Sequence, residues 1–146
     1  MNGQEKKLKV IELLNKVNFD RKKKLKTELM AIDASIVLCE PVLKKHYEIA
    51  SQYGVWDNGW RPEFKIYSIY EQRGIYVILK YKNPYCPGVQ TIPLSLDWFN
   101  DEDYNYEMYR LNCRSTALER IEENIVEARK HLNLLEEEYK RIESMK

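Results

Sequence analysis

What this chain has little of narrows its chemistry first. It holds two histidines, three cysteines, five glycines and five prolines among 146 residues. The histidines, His46 and His131, form no HxxxH or Cys/His pair of metal-ligand spacing. Cys39, Cys86 and Cys113 are an odd set without CxxC spacing, which reads as reduced thiols in a cytoplasmic protein rather than a disulfide framework. No Gly-rich phosphate loop is present. No apolar run approaches the roughly 20 residues of a membrane span, and the polar start Met1–Lys7 is neither signal peptide nor anchor. A net charge of +1 supplies no global field for nucleic acid or lipid. The expectation is a protein with no catalytic residue, no metal and no cofactor.

What is present is apolar spacing. With 44% apolar and 32% charged residues, the composition suits helices with one apolar stripe and a solvated remainder. Residues 4–17 predict a short helix, with Leu8, Ile11, Leu14 and Val17 on one side. Asn18-Phe19-Asp20 interrupts it, and Asp20 is placed to cap the next helix. From Leu25 the residues Leu29, Ile32, Ile36, Cys39 and Leu43 follow at alternating steps of four and three, continued by His46, Ala50 and Tyr53. This predicts a helix over 20–53, kinked near Pro41 and stopped by Gly54.

Residues 54–99 predict a small antiparallel sheet. The strands are Phe64–Glu71, Ile75–Lys82 and Val89–Leu96, with a tight turn at Gln72-Arg73-Gly74 and Pro93 confining the third strand to an edge. Ile92, Leu94, Leu96 and Trp98 alternate with polar residues. Asn100 opens a long helix reaching residue 145, free of Gly and Pro, with Asp101, Glu102 and Asp103 in its first turn. Those acids, with Asp97, read as capping rather than as a cation site.

In that last helix Leu111, Arg114, Leu118, Ile121, Ile125, Ala128, Leu132, Leu135, Tyr139 and Ile142 repeat the four-three step. The two seams span about 42 Å and about 47 Å at helical rise. An α+β fold follows as expectation: one domain in which an antiparallel helical hairpin or coiled coil carries a three-stranded antiparallel sheet at its tip, plus a short N-terminal helix. In the expected register Leu25 faces Tyr139, Leu29 faces Leu135, Ile32 faces Leu132 and Ile36 faces Ala128. Residues 1–26 hold nine cations against three acids, and in this register Lys22, Lys23, Lys24 and Lys26 lie beside Glu136, Glu137, Glu138 and Glu143. The competing arrangement pairs the last helix with its own copy.

Two stretches are candidates for binding. Trp56, Trp60, Arg61, Arg73 and Tyr85 fall in turns, and Tyr67 and Tyr76 on strands; aromatics with Arg are typical interface anchors and base-stacking surfaces. Arg21, Lys22, Lys23, Lys24 and Lys26 offer phosphate contacts, the competing reading being a helix start neutralised by the acidic C-terminal end.

The order helix, small antiparallel sheet, helix resembles prefoldin-type chaperone subunits, which implies an oligomeric holdase. The run Thr91-Ile-Pro-Leu-Ser-Leu-Asp-Trp-Phe99 leading into an acidic helix is similar to segments of small accessory proteins of phages and mobile elements in Gram-positive bacteria. That resemblance implies a non-enzymatic protein that binds and inhibits or sequesters a host or defence-system factor. The expected partner is a host protein or a nucleotide-like small molecule met on the aromatic sheet. The alternative partner is nucleic acid on the basic region; homo-oligomers through the helices are compatible with either, and no membrane is involved.

Overall fold

The apolar spacing of the first fifty residues folds as two helices of one core. The computed structural model describes residues 1–100 and 106–146. Helix α1 (Gly3–Leu14) starts at Asn2, whose side chain accepts the Glu5 N–H at 2.9 Å. It buries Val10, Leu13 and Leu14, and Val17 follows them into the core, while Leu8 stays 55% exposed.

Helix α2 (Lys26–Gln52) begins six residues later than Asp20 leads one to expect. The cause is Glu28. Its buried carboxylate accepts the N–H of Leu25 at 2.8 Å and of Asn18 at 2.6 Å, with Arg21 Nε at 3.7 Å. One side chain thus caps α2 and closes the loop before it. Asp20 is exposed and bonds within its own turn. Pro41 neither splits nor ends α2. The Val37 carbonyl that loses its donor belongs to a residue 71% exposed, where water can replace the missing bond.

Strands β1 (Ile66–Arg73), β2 (Tyr76–Tyr81) and β3 (Gln90–Ser95) form an antiparallel sheet in the order β1-β2-β3. Gly74 turns the first hairpin with φ +56°, a conformation side chains resist. On the inner face Val77 pairs with Leu94 and Leu79 with Ile92, all fully buried. On the outer face Pro93 lies opposite Ile78 on edge strand β3, where its missing N–H costs no ladder bond with a further strand. Leu96–Phe99 is a 3-10 turn rather than more strand, and its tighter period lets Leu96 and Phe99 both bury.

Helix α2 packs on the sheet and α1 on α2 and the 3-10 turn, all in one core, so the sheet lies against the first two helices and not at the tip of a hairpin. The α2 stripe is buried as its spacing predicts, at Ile32, Ile36, Cys39, Leu43, His46 and Ala50. From Ile32 to Leu43 its cover, however, is α1 and the sheet, and α3 reaches it at His46. Those two surfaces together offer α2 a wider apolar face than a single seam of another helix, and Ala31 and Ser35 bury with it.

Helix α3 (Tyr106–Glu143) is 38 residues long, about 57 Å at helical rise. It buries Cys113 alone among its described residues. The expected layers with α2 are not formed: Leu29 and Leu135 are 49% and 53% exposed, Leu25 and Tyr139 51% and 68%. Asn100 is not helical and donates from Nδ2 to Gln4 Oε1 at 3.1 Å. The acidic first turn expected at Asp101, Glu102 and Asp103 lies outside the described residues. No helix among the described residues is long and apolar enough to cross a membrane.

The two N–H bonds to Glu28 hold its carboxyl below the usual range of 4.5. A depressed carboxyl contributes stability at pH above 4.5 that is lost as pH falls through the folded value. Thermal melts between pH 3 and 7 should therefore show Glu28→Gln less stable than the parent at neutral pH, with the gap closing in acid. Parallel pH profiles for the two proteins would contradict the capping role.

Candidate functional site

Several side chains expected to bind are structural. Trp60 is fully buried, and its indole N–H donates to the Phe64 carbonyl at 3.2 Å. Trp56 packs edge-on to Tyr47 and donates to the Trp60 carbonyl at 3.2 Å. Arg61 bonds the carbonyls of Asn58 (2.8 Å) and Trp60 (2.7 Å), and so ties the loop to itself. A Cβ at Gly59 would approach the Tyr81 hydroxyl to 2.8 Å, so any side chain there would have to displace that buried ring. A turn-rich loop reads as surface in sequence; here its large aromatics fill the end of the core. No ligand reaches Trp60.

The outer sheet face remains open. Tyr76 is 47% exposed and Tyr85 84%, while Arg73 is exposed beside its ion-pair partner Glu71. Lys82 lies over the ring of Tyr67 and Lys80 over that of Tyr70, at 5.4 and 5.6 Å from the ring centres. Beside them is a recess of about 300 Å³ lined in part by Arg21, Lys22, Lys24, Tyr70 and Lys80. Part of the basic run is thereby set against the aromatic strands, which spacing alone did not reveal. Among the described residues, Glu136–Glu138 make no ion pair with it. Lys24 instead turns inward to the carbonyls of Phe19 (3.2 Å) and Arg21, while Lys22, Lys23 and Lys26 are exposed.

The third surface is α3, which meets the body by one face. His46 stacks on Trp98 with ring centres 3.9 Å apart, and Tyr106 and Tyr109 lean on His46 at 5.2 and 5.0 Å. The Tyr106 hydroxyl donates to the Trp98 carbonyl at 2.9 Å, and Lys45 lies 3.8 Å above the Tyr106 ring. Further along, Cys113 is buried, and Arg120 pairs with Asp57 at 2.7 Å. Burial pushes the Cys39 thiol up to about 12 and raises that of Cys113, which disfavours the reactive thiolate at both. His46 is core packing as its spacing indicates, whereas His131 is exposed.

Tyr106, Tyr109, Cys113 and Arg120 share one side of α3. Near the junction the a positions of the four-three seam lie on the other side: Leu118 is about 140° around the helix from Cys113, and Leu111 about 160°, while the d positions Arg114 and Ile121 lie about 100° and about 80° away. In heptad terms Leu111, Leu118, Ile125, Leu132 and Tyr139 are a positions, and Arg114, Ile121, Ala128, Leu135 and Ile142 are d. Eight large apolar side chains on this line are 44–68% exposed. The attachment stripe is legible in hindsight, being aromatic at Tyr106 and Tyr109 and charged at Glu123, Glu127 and Lys130.

Among the described residues, no group of three His, Cys, Asp or Glu side chains could hold a metal ion. Comparison with protein-family models, curated proteins and solved structures gives no match. The functional reading therefore rests on these three surfaces.

Placement of the aromatics has a direct consequence. Trp60→Ala should cost about 3–5 kcal/mol of stability, whereas Tyr85→Ala should change it by no more than about 0.5 kcal/mol. Urea melts of the two variants measure this, and equal effects would contradict the burial assigned to Trp60.

Proposed function

We propose that this chain is a non-enzymatic binding protein that engages a protein partner with the a/d face of α3. The observation that carries the reading is the line of eight large apolar side chains, 44–68% exposed, on a helix attached to the body through other residues, Tyr106, Tyr109, Cys113 and Arg120. Covering each is worth on the order of 1 kcal/mol. Helices that stand free in water are marginal even with good helix formers. Beyond Arg120 this one is supported by exposed pairs such as Glu127–Lys130 and Glu138–Arg141, which solvent screens and which contribute little. Inhibition or sequestration of a host factor, implied by the resemblance of Thr91–Phe99 to phage and mobile-element accessory proteins, is one use of such a face. Chaperone-like holding of clients is another.

A second reading is favoured by the recess beside Tyr70. Exposed Lys22, Lys23 and Lys26 with half-covered tyrosines suit an anionic chain such as single-stranded nucleic acid. It predicts binding that weakens steeply with salt, and further with Lys22→Glu or Tyr70→Ala. Filter binding at several salt concentrations checks this; Trp60→Ala is not a valid probe, because that residue is core.

The principal reading is tested with a photo-crosslinking residue placed in the full chain, in lysate of the source cell. Positions 125 and 135 should yield discrete protein adducts, while position 130 on the same helix should not. Adducts at 130 with none at 125 and 135 would overturn it.

A further inference from the structure

We propose that the partner on the α3 seam is a second copy of this chain, laid antiparallel in one register; this rests on reading that seam as a docking face. In this register Leu118 meets Leu135 of the second copy, Ile121 meets Leu132, and Ile125 meets Ala128. All ten a and d positions then find a partner, from Leu111 opposite Ile142 inward. The stripe is about 47 Å long and about 10 Å wide. Two copies bring together roughly 1,000 Å², the area at which specific interfaces begin.

Charge chooses the direction. A parallel pair would stack Arg114 on Arg114 inside the seam and set Glu138 against Glu143 at the flank. The antiparallel pair places Arg114 beside the Tyr139 ring, which is 68% exposed in the single chain and suits a cation above it. Residues 106–121 carry three cations and two acids, while 122–143 carry four and seven. Only the antiparallel arrangement lays the acidic part along the basic one.

Charge also chooses the register. At the flanking e positions Glu122 falls beside Arg129 of the second copy, and the contact occurs twice by symmetry. Sliding by one heptad in either direction replaces it with Glu122 against Glu136, or Glu122 against itself. The body permits this pairing. It grips α3 through Tyr106, Tyr109, Cys113 and Arg120, none of them a seam position, and in this arrangement the two bodies come to opposite ends of the coiled coil.

The test is sedimentation equilibrium on the full chain and three variants. The parent should dimerise. Glu122→Arg and Arg129→Glu should each weaken the dimer about tenfold, through two lost pairs and the like-charge contacts that replace them. The double variant should return to within about twofold of the parent, because it rebuilds both pairs with reversed sign. As a check on direction, in a Cys86→Ser background, Leu118→Cys with Leu135→Cys should form a disulfide-linked dimer, and Leu118→Cys alone should not. A chain monomeric throughout the micromolar range overturns the proposal, as does an unrescued double variant or a linked dimer from Leu118→Cys alone. Crosslinking from positions 125 and 135 to a different protein, with a monomeric chain, would sink the second copy and leave the docking face standing. Neither self-association nor any adduct at those positions would sink both.

Discussion

The face by which α3 meets the body decides what the rest of the helix can do. That face is set by His46, which is fully buried between Trp98 on one side and Tyr106 and Tyr109 on the other. An imidazole stacked on an indole and crossed by two phenols is bulky and directional, and offset or tilted rings resist rotation of the helix about its axis. Arg120 with Asp57 adds a second point of attachment further along. Two points on one stripe fix the rotation of α3, and the four-three seam must then point to solvent. Had the helix settled by its a/d face on the body, there would be nothing left to dock.

The body can grip α3 this way because its own core is complete without it. Sheet, α1 and α2 satisfy one another, and the inner residues Val77, Leu79, Ile92 and Leu94 are fully covered. That is where the sequence was legible and where it was not. Spacing alone showed that α2 has a buried stripe, that three strands form an antiparallel sheet, and that Pro93 belongs at an edge. It did not show what covers the stripe. Two apolar seams of similar length invite each other, but α2 had three possible partners, and periodicity carries no information about which wins. From Ile32 to Leu43 the choice went to α1 and the sheet, and α3 reaches the stripe at His46. The start of α2 was misplaced for a related reason. Asp20 is a good capping residue in isolation, yet Glu28 reaches back to two N–H groups at once and Asp20 to none outside its turn.

The binding surfaces show the same limit. Trp56, Trp60 and Arg61 stand in a stretch with Asn58, Gly59 and Pro62, and turn chemistry marks such a stretch as surface. Turn residues describe the backbone path, however, and a loop folded over the end of a sheet can direct its side chains inward. Trp60 does so with its N–H bonded, the condition for burying an indole. The basic run and the acidic end of α3 are complementary blocks in the sequence that make no ion pair with each other among the described residues. Complementary charge is a weak guide to position, because exposed pairs contribute little against the burial that sets the fold. What neutralises the run locally is Glu28 at Arg21, with the Phe19 and Arg21 carbonyls at Lys24.

The division between body and helix also separates two kinds of stability. Losing contacts at the seam removes nothing from the core under α1 and α2, since no seam residue is among those buried there. The association proposed for α3 would therefore be weakened by seam substitutions without unfolding the body. The reverse does not hold. The junction at His46 orders the first turns of α3, and helix propagation is favourable only from a formed nucleus. Loosening that junction would fray the helix toward its seam, and each a and d position would lose its fixed direction. The small contact between α3 and the body thus has an effect out of proportion to its area, because it turns a periodic sequence into an oriented surface.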